Sequence, residues 1–274
     1  MLCFQSPGIL IVTAPNNHNS QPKIFMKNKL LVIFVLIGIT VTGWSQTGGV
    51  PQFITKGKIE YERKTNQHAF IDDNDSWGAA MKKSFPKFVT SFYDLTFDKD
   101  HSVYKPGREP DTRQSRFWGM FDVDNIIATN LDSNKSVTQK SLYGDTYLIV
   151  DSTRKVDWKI GTEIRKIAGF DCRKAVGKVM DSIIVIAFYT DEIIPSGGPE
   201  SFTGLPGMIL GIAIPKMHTT WYATKLQLEE VSAAALALPK KGKKISGEDF
   251  RLQLTNILKN EGDWGVRMRW QLML

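Results

Sequence analysis

The sequence predicts a mainly β protein, an antiparallel curved sheet or half-barrel with a short helix and a C-terminal helix. Three observations lead there. From Ile54 onward apolar and polar residues alternate with period two, short turn signals recur at near-regular spacing, and long helical periods are scarce.

In KIEYERK, Lys58, Glu60, Glu62 and Lys64 fall on one face of a strand, with Ile59 and Tyr61 on the other. DSWGAAMKKSF, residues 75–85, reads as a short helix capped at Asp75 or Ser76 and stopped before Pro86. In FVTSFYDLTFD, Val89, Tyr93, Leu95 and Phe97 share a face opposite Asp94, Thr96 and Asp98. A hairpin follows, turning at residues 98–100 and ending at Pro106. Further strands are expected over 125–131, 136–142, 146–151, 156–160, 163–168 and 170–179. IIVIAFYT, residues 183–190, is apolar on both sides and reads as a central strand covered on both faces. Strands over 208–214 and 221–231 complete the sheet. SGED then opens the C-terminal helix at Ser246, with Asp249 three residues on and Phe250, Leu252 and Ile257 near helical spacing up to Lys259.

Ahead of the sheet, Lys27 and Lys29 precede an uncharged run over 30–42 and then small residues, the pattern of a secretory signal cleaved after Ser45. Met26 is a better opening for that signal than Met1. The expected organisation is a leader and signal over 1–45, a β domain over 46–231, and a basic linker with the C-terminal helix over 232–274. The location implied is periplasmic or secreted, with membrane contact only through the signal or a partner.

The chain of 274 residues carries 35 basic and 28 acidic side chains, a net charge of +7. Loss of residues 1–45 removes three lysines and no acidic residue, which lowers the charge to +4. That excess is too small to argue for a nucleic-acid partner, and Lys240, Lys241, Lys243 and Lys244 read as a solvated linker. Cys172 alone would remain of the two cysteines, facing inward as a small hydrophobe, so an intramolecular disulfide is excluded in the processed form.

VDWKIGTEIRKIAGFDCRKAVG, followed by IAFYTDEIIPSGGPESFTGLPGMIL, resembles the signature half of the GLPGLI family of exported proteins from diderm bacteria. The resemblance covers most of residues 57–231, with Met208 standing where the family name has Leu. It implies a secreted β-rich protein without established activity, encoded near TonB-dependent outer-membrane receptors, and so a partnership with such a receptor system.

In the signature turn Gly204, Leu205, Pro206 and Gly207, Pro206 fixes its own φ and Gly207 is free to take positive φ. The expectation is a type II turn setting the register of the next strand, with a partner-docking loop as the alternative. It lacks the lysine and the following helix of a phosphate loop. In PKMHTTW, Met217 and His218 are ligand types that suit copper if a turn lets both reach one ion together with His101 or Cys172. Packed methionine beside a loop histidine is the plainer reading. The carboxylate pairs Asp72-Asp73 and Asp191-Glu192 invite acid-base chemistry, but neighbours on a strand diverge and turn capping explains them. Trp77, Phe85, Phe88, Phe117 and Trp118 are candidates to line a concave face that takes a greasy ligand or a peptide strand.

The leading expectation is an exported envelope binding or accessory protein, non-catalytic, without cofactor, and working beside outer-membrane transport. The alternatives are a carboxylate-dependent hydrolase on the concave face and a periplasmic metal-handling protein.

Overall fold

The structure is a computed structural model and describes residues 53–71, 76–111, 125–142, 144–180 and 182–274. These belong to a compact unit spanning Pro51–Leu274. The signal, Asp72-Asp73, Asp75, Phe117 and Trp118 lie outside the described residues.

The strands are β1 (Gly57–Asn66), β2 (Phe88–Phe97), β3 (His101–Pro106), β4 (Ile126–Asn130), β5 (Lys135–Leu142), β6 (Asp145–Ser152), β7 (Lys159–Ile167), β8 (Phe170–Val179), β9 (Ile183–Thr190), β10 (Met208–Ile214), β11 (Thr219–Gln227) and β12 (Lys243–Ser246). Helix α1 (Ser76–Ser84) lies between β1 and β2, and α2 (Gly247–Leu258) and α3 (Gly262–Met273) end the chain. The strands form one sheet in the order β12-β6-β5-β4-β3-β2-β1-β11-β10-β9-β8-β7. All pairings are antiparallel except that of β12 with β6. The curved, mainly β architecture expected from the alternation is present, and the sheet does not close into a barrel. Among the described residues no helix is long and apolar enough to cross a membrane.

Local chemistry explains the elements. In β1, Ile59 and Tyr61 are wholly buried and pair across β2 with Leu95 and Tyr93, so one face of the hairpin is continuous core. The Asp98 carboxylate turns the chain between β2 and β3 by accepting the backbone N–H groups of Asp100 (2.8 Å) and His101 (2.6 Å). Between β7 and β8 the two-residue loop Ala168-Gly169 has φ of 49° and 92°, the positive-φ pair that matches strand twist. Ser246 caps α2 by accepting from the Asp249 N–H at 3.0 Å, the cap its sequence promised.

Three expectations change. The strands expected over 156–160 and 163–168 are one strand, β7, whose register with β8 shifts between Ile160 and Ile164; Val156 precedes it and packs against Gly177. The lysine cluster is not wholly linker, because Lys243–Ser246 pairs parallel to β6. Gly242, at φ 127°, permits this approach, since a Cβ there would lie 2.8 Å from the Tyr147 carbonyl carbon. The tail also holds a second helix, α3, which the polar and glycine-bearing GDWGVRMRWQLM concealed.

The core has three parts. Ile59, Tyr61, Leu95, Phe97 and Tyr104 anchor one, Phe202, Leu205, Ile212 and Trp221 a second. In the third, Phe250 and Leu254 of α2 and Met268 and Leu272 of α3 pack with Tyr147, Ile149 and Ile245. The two C-terminal helices thus cover one end of the sheet's concave side.

Candidate functional site: a basic cleft on the concave side

The signature turn is a structural corner with an inward-facing loop behind it. Gly207 donates to the Leu205 carbonyl at 2.8 Å, a tight i to i+2 turn across Pro206. The type II turn expected there is absent because the Met208 N–H that would close it bonds Ile193 O at 3.0 Å instead. Gly207 has φ 135° and a Cβ on it would lie 2.0 Å from Thr190 O, so both dihedral and space demand glycine. Gly204 donates to Ser196 Oγ at 3.0 Å, and the Trp158 indole donates to Thr203 O at 2.9 Å. Leu205 and Phe202 are buried while Pro206 faces solvent.

This loop carries Glu200 into the protein. Glu200 and Ser201 take left-handed φ values of 52° and 63°, a conformation that costs about 1–2 kcal/mol for each L-residue and persists only where the surroundings enforce it. Glu200 is 3% exposed, its Oε1 reached by the Tyr104 hydroxyl at 3.5 Å. Tyr104 stacks on Tyr93 at 5.0 Å, and Tyr93 accepts from Arg63 at 3.3 Å. Burial, then the Glu200 charge, holds the Tyr104 phenol well above its ordinary pKa. For Arg63 burial opposes the charge, but Tyr93 and Glu200 outweigh it and the pKa rises.

Two more cations complete the cluster, buried Lys140 and half-buried Arg154. Lys140, on β5, donates to Leu272 O at 2.6 Å, and Arg154 donates to Met273 O at 2.9 Å. Burial lowers Lys140 to about 8, with Glu200 opposing the fall and Arg154 adding to it. Burial likewise lowers Arg154 to about 10, again opposed by Glu200. One carboxylate thus serves three cations.

Lys140 and Arg154 open onto a cleft of about 920 Å³. Its walls come from β5 and β6 on one side and β7 and β8 on the other, so the sheet curls far enough for strands distant in its order to face one space. Six cationic side chains line it, Lys140, Arg154, Lys155, Lys159, Lys178 and Arg251, against two acidic side chains, Asp151 and Asp157. Asp151 is engaged by Arg251 at 3.2 Å. Apolar surface from Ile149, Val179, Phe250 and Leu272 alternates with these charges. A volume in the range of small-molecule sites, with mixed apolar and cationic walls, suits an anion that carries an apolar body.

The residues singled out in the sequence lie elsewhere. Met217 is 2% exposed in the core with Trp221, whereas His218, at φ 48°, is exposed with its ring edge-on to Phe70 at 5.5 Å. The turn after Pro215 exists, but it sends the two side chains apart. His101 lies against Asn130 and Asp98, and Cys172 is buried, its thiol pushed up to about 12 by burial. Among the described residues no group of three or more His, Cys, Asp and Glu is placed to hold a metal ion. Asp191 and Glu192 are exposed and neither lines the cleft; Phe88 lies under Lys64 and Lys87. Sequence reading missed Glu200, Arg63, Lys140 and Arg154. A signal existed for Lys140, a lysine in phase with Ser136 and Thr138 on the inward side of its strand.

Fold and cleft together define an open, curved β sheet with a basic pocket under its C-terminal helices. Residues 177–211, which hold β9, the Glu200 loop and the signature turn, match the family described as "Protein of unknown function (Porph_ging)". No curated protein matches the chain. Among solved structures it is similar to PNGF-II in two crystal forms, C2 at 14% identity and TM-score 0.49, and P21 at 15% and 0.47. These alignments cover 72% and 73% of this chain but 32% and 33% of PNGF-II, so the chain spans about a third of that protein's length. An uncharacterized conserved protein from Thermus thermophilus aligns at 9% identity and TM-score 0.35, covering 69% of this chain and 90% of its own.

Proposed function

We propose that this is a non-catalytic binding protein of the cell envelope whose cleft takes an amphiphilic anion. The observation that carries the reading is the excess of cationic over acidic side chains in the cleft, with Lys140 and Arg154 held charged against the cost of desolvation. Two desolvated cations that share Glu200, with Asp151 acting on Arg154 alone, are costly for a core and suit a site for an oxyanion. The signal-like leader and the GLPGLI resemblance support export to the periplasm and work beside a TonB-dependent receptor. A hydrolase needs a second group to act with Glu200 on a substrate, and Glu200 lies behind the cleft wall among cations rather than beside another carboxylate.

The test is native mass spectrometry and thermal shift of the processed chain with dodecanoate, dodecyl phosphate and neutral dodecyl maltoside. Saturable one-to-one binding of an anion, absent with the maltoside, is expected. Equal response to all three refutes the reading, as does turnover of ester, peptide or glycan substrates lost on Glu200→Gln.

A further inference from the structure

The end of α3 fills the part of the cleft that Lys140 and Arg154 face. A helix leaves its last carbonyls without intrahelical partners. Here Leu272 O and Met273 O take the hydrogen bonds of Lys140 and Arg154. The seat is imperfectly filled, since Arg154 Nε, Glu200 Oε2 and Gln271 Oε1 are buried without a hydrogen-bond partner among the described residues. The Arg154 defect has a specific chemistry. A peptide carbonyl offers one oxygen and satisfies one edge of the guanidinium fork, whereas a carboxylate or phosphate offers two and can span a terminal nitrogen and Nε together. Side-chain contacts hold the remainder of α3: Met268 and Leu272 pack against Phe250, Leu254 and Leu258 of α2, Trp270 and Leu274 pack on the second core, and Lys216 lies 4.1 Å over the Trp270 ring. The joint between the helices is short, Lys259 to Glu261, with no side-chain cap on α3 and Gly262 at φ 52°.

We propose that α3 is a displaceable plug, and that the oxyanion head of an amphiphile replaces the Leu272 and Met273 carbonyls on Lys140 and Arg154. This rests on the cleft being the binding site and adds how it is regulated. The head group bridges Arg154 Nε and a terminal nitrogen while its apolar chain takes the surface vacated by Leu272 beside Ile149 and Phe250. An empty protein is thereby kept closed, Lys140 and one edge of Arg154 partnered by its own backbone.

Hydrogen exchange of the full chain, with and without dodecanoate or dodecyl phosphate, tests this. Either anion is expected to speed exchange of the amides of residues 266–274 by at least about tenfold while those of β9 stay protected. A response to only one of the two identifies the head group as carboxylate or phosphate. Dodecyl maltoside is expected to leave α3 protected, and Arg154→Met to abolish the response to the anions. Met268→Ser, which loosens α3 on α2 without touching either cation, is expected to tighten anion binding severalfold. Anion binding with α3 still protected overturns the plug and leaves the cleft reading standing. Absence of binding in both the natural chain and Met268→Ser overturns both.

Discussion

Lys140 gives the sharpest quantitative test of the buried charge cluster. Its pKa falls from 10.5 to about 8, and at about 1.4 kcal/mol per unit the folded protein holds this proton about 3 kcal/mol more weakly than the unfolded chain. Between those two values the unfolded state binds more protons, so stability rises with pH; below about 8 both states are protonated and the contribution is flat. Raising the pH from 7 to about 9.5 is therefore expected to add about 2 kcal/mol through this one group. Arg154, lowered to about 10, begins to titrate near the top of the window, so the quantity to measure is a difference. Urea unfolding of the natural chain and of Lys140→Met is followed across the range, and the stability of the natural chain relative to the variant should climb by that amount. The offset at pH 7 matters less, because the variant also leaves Leu272 O without its donor. A difference that stays level with pH, or falls, would show that Lys140 is not desolvated and would remove the basis of the buried cluster.

Gly207→Ala should destabilise by more than about 3 kcal/mol in the same unfolding assay, since its Cβ would meet Thr190 O. Gly169→Ala, at φ 92° with open space around it, should cost about 1–2 kcal/mol; equal losses at the two sites would argue against the close approach. Ser246→Ala should lower stability by about 1 kcal/mol and speed exchange in the first turn of α2, and an unchanged first turn would remove the cap from the account. Cys172, buried and pushed up to about 12, should resist iodoacetamide at pH 8 in the native protein and react on unfolding. Rapid native alkylation would contradict its burial.

The sheet was legible because its physics is local. Alternation in KIEYERK and FVTSFYDLTF follows from strands with one packed face, the Asp98 turn from a carboxylate capping its own backbone, and the α2 start from Ser246 and Asp249. Where a signal depended on a distant partner, reading failed. Lys243–Ser246 becomes a strand only because β6 offers an edge to it, and Met208 fails to close a type II turn because Ile193 O takes its N–H. α3 shows little amphipathic rhythm, and its apolar residues are divided between α2 and the second core.

Neighbouring residues were enough to specify a curved β sheet with its turns, a short helix and a capped C-terminal helix, because side-chain period and turn chemistry act over a few positions. The cleft needed the folded chain. Arg63, Lys140, Arg154 and Glu200 are scattered over more than a hundred residues, and they meet because the sheet curls and a strained loop folds inward. Low dielectric then makes their charges matter, and burial of that kind leaves no mark on the local order of residues.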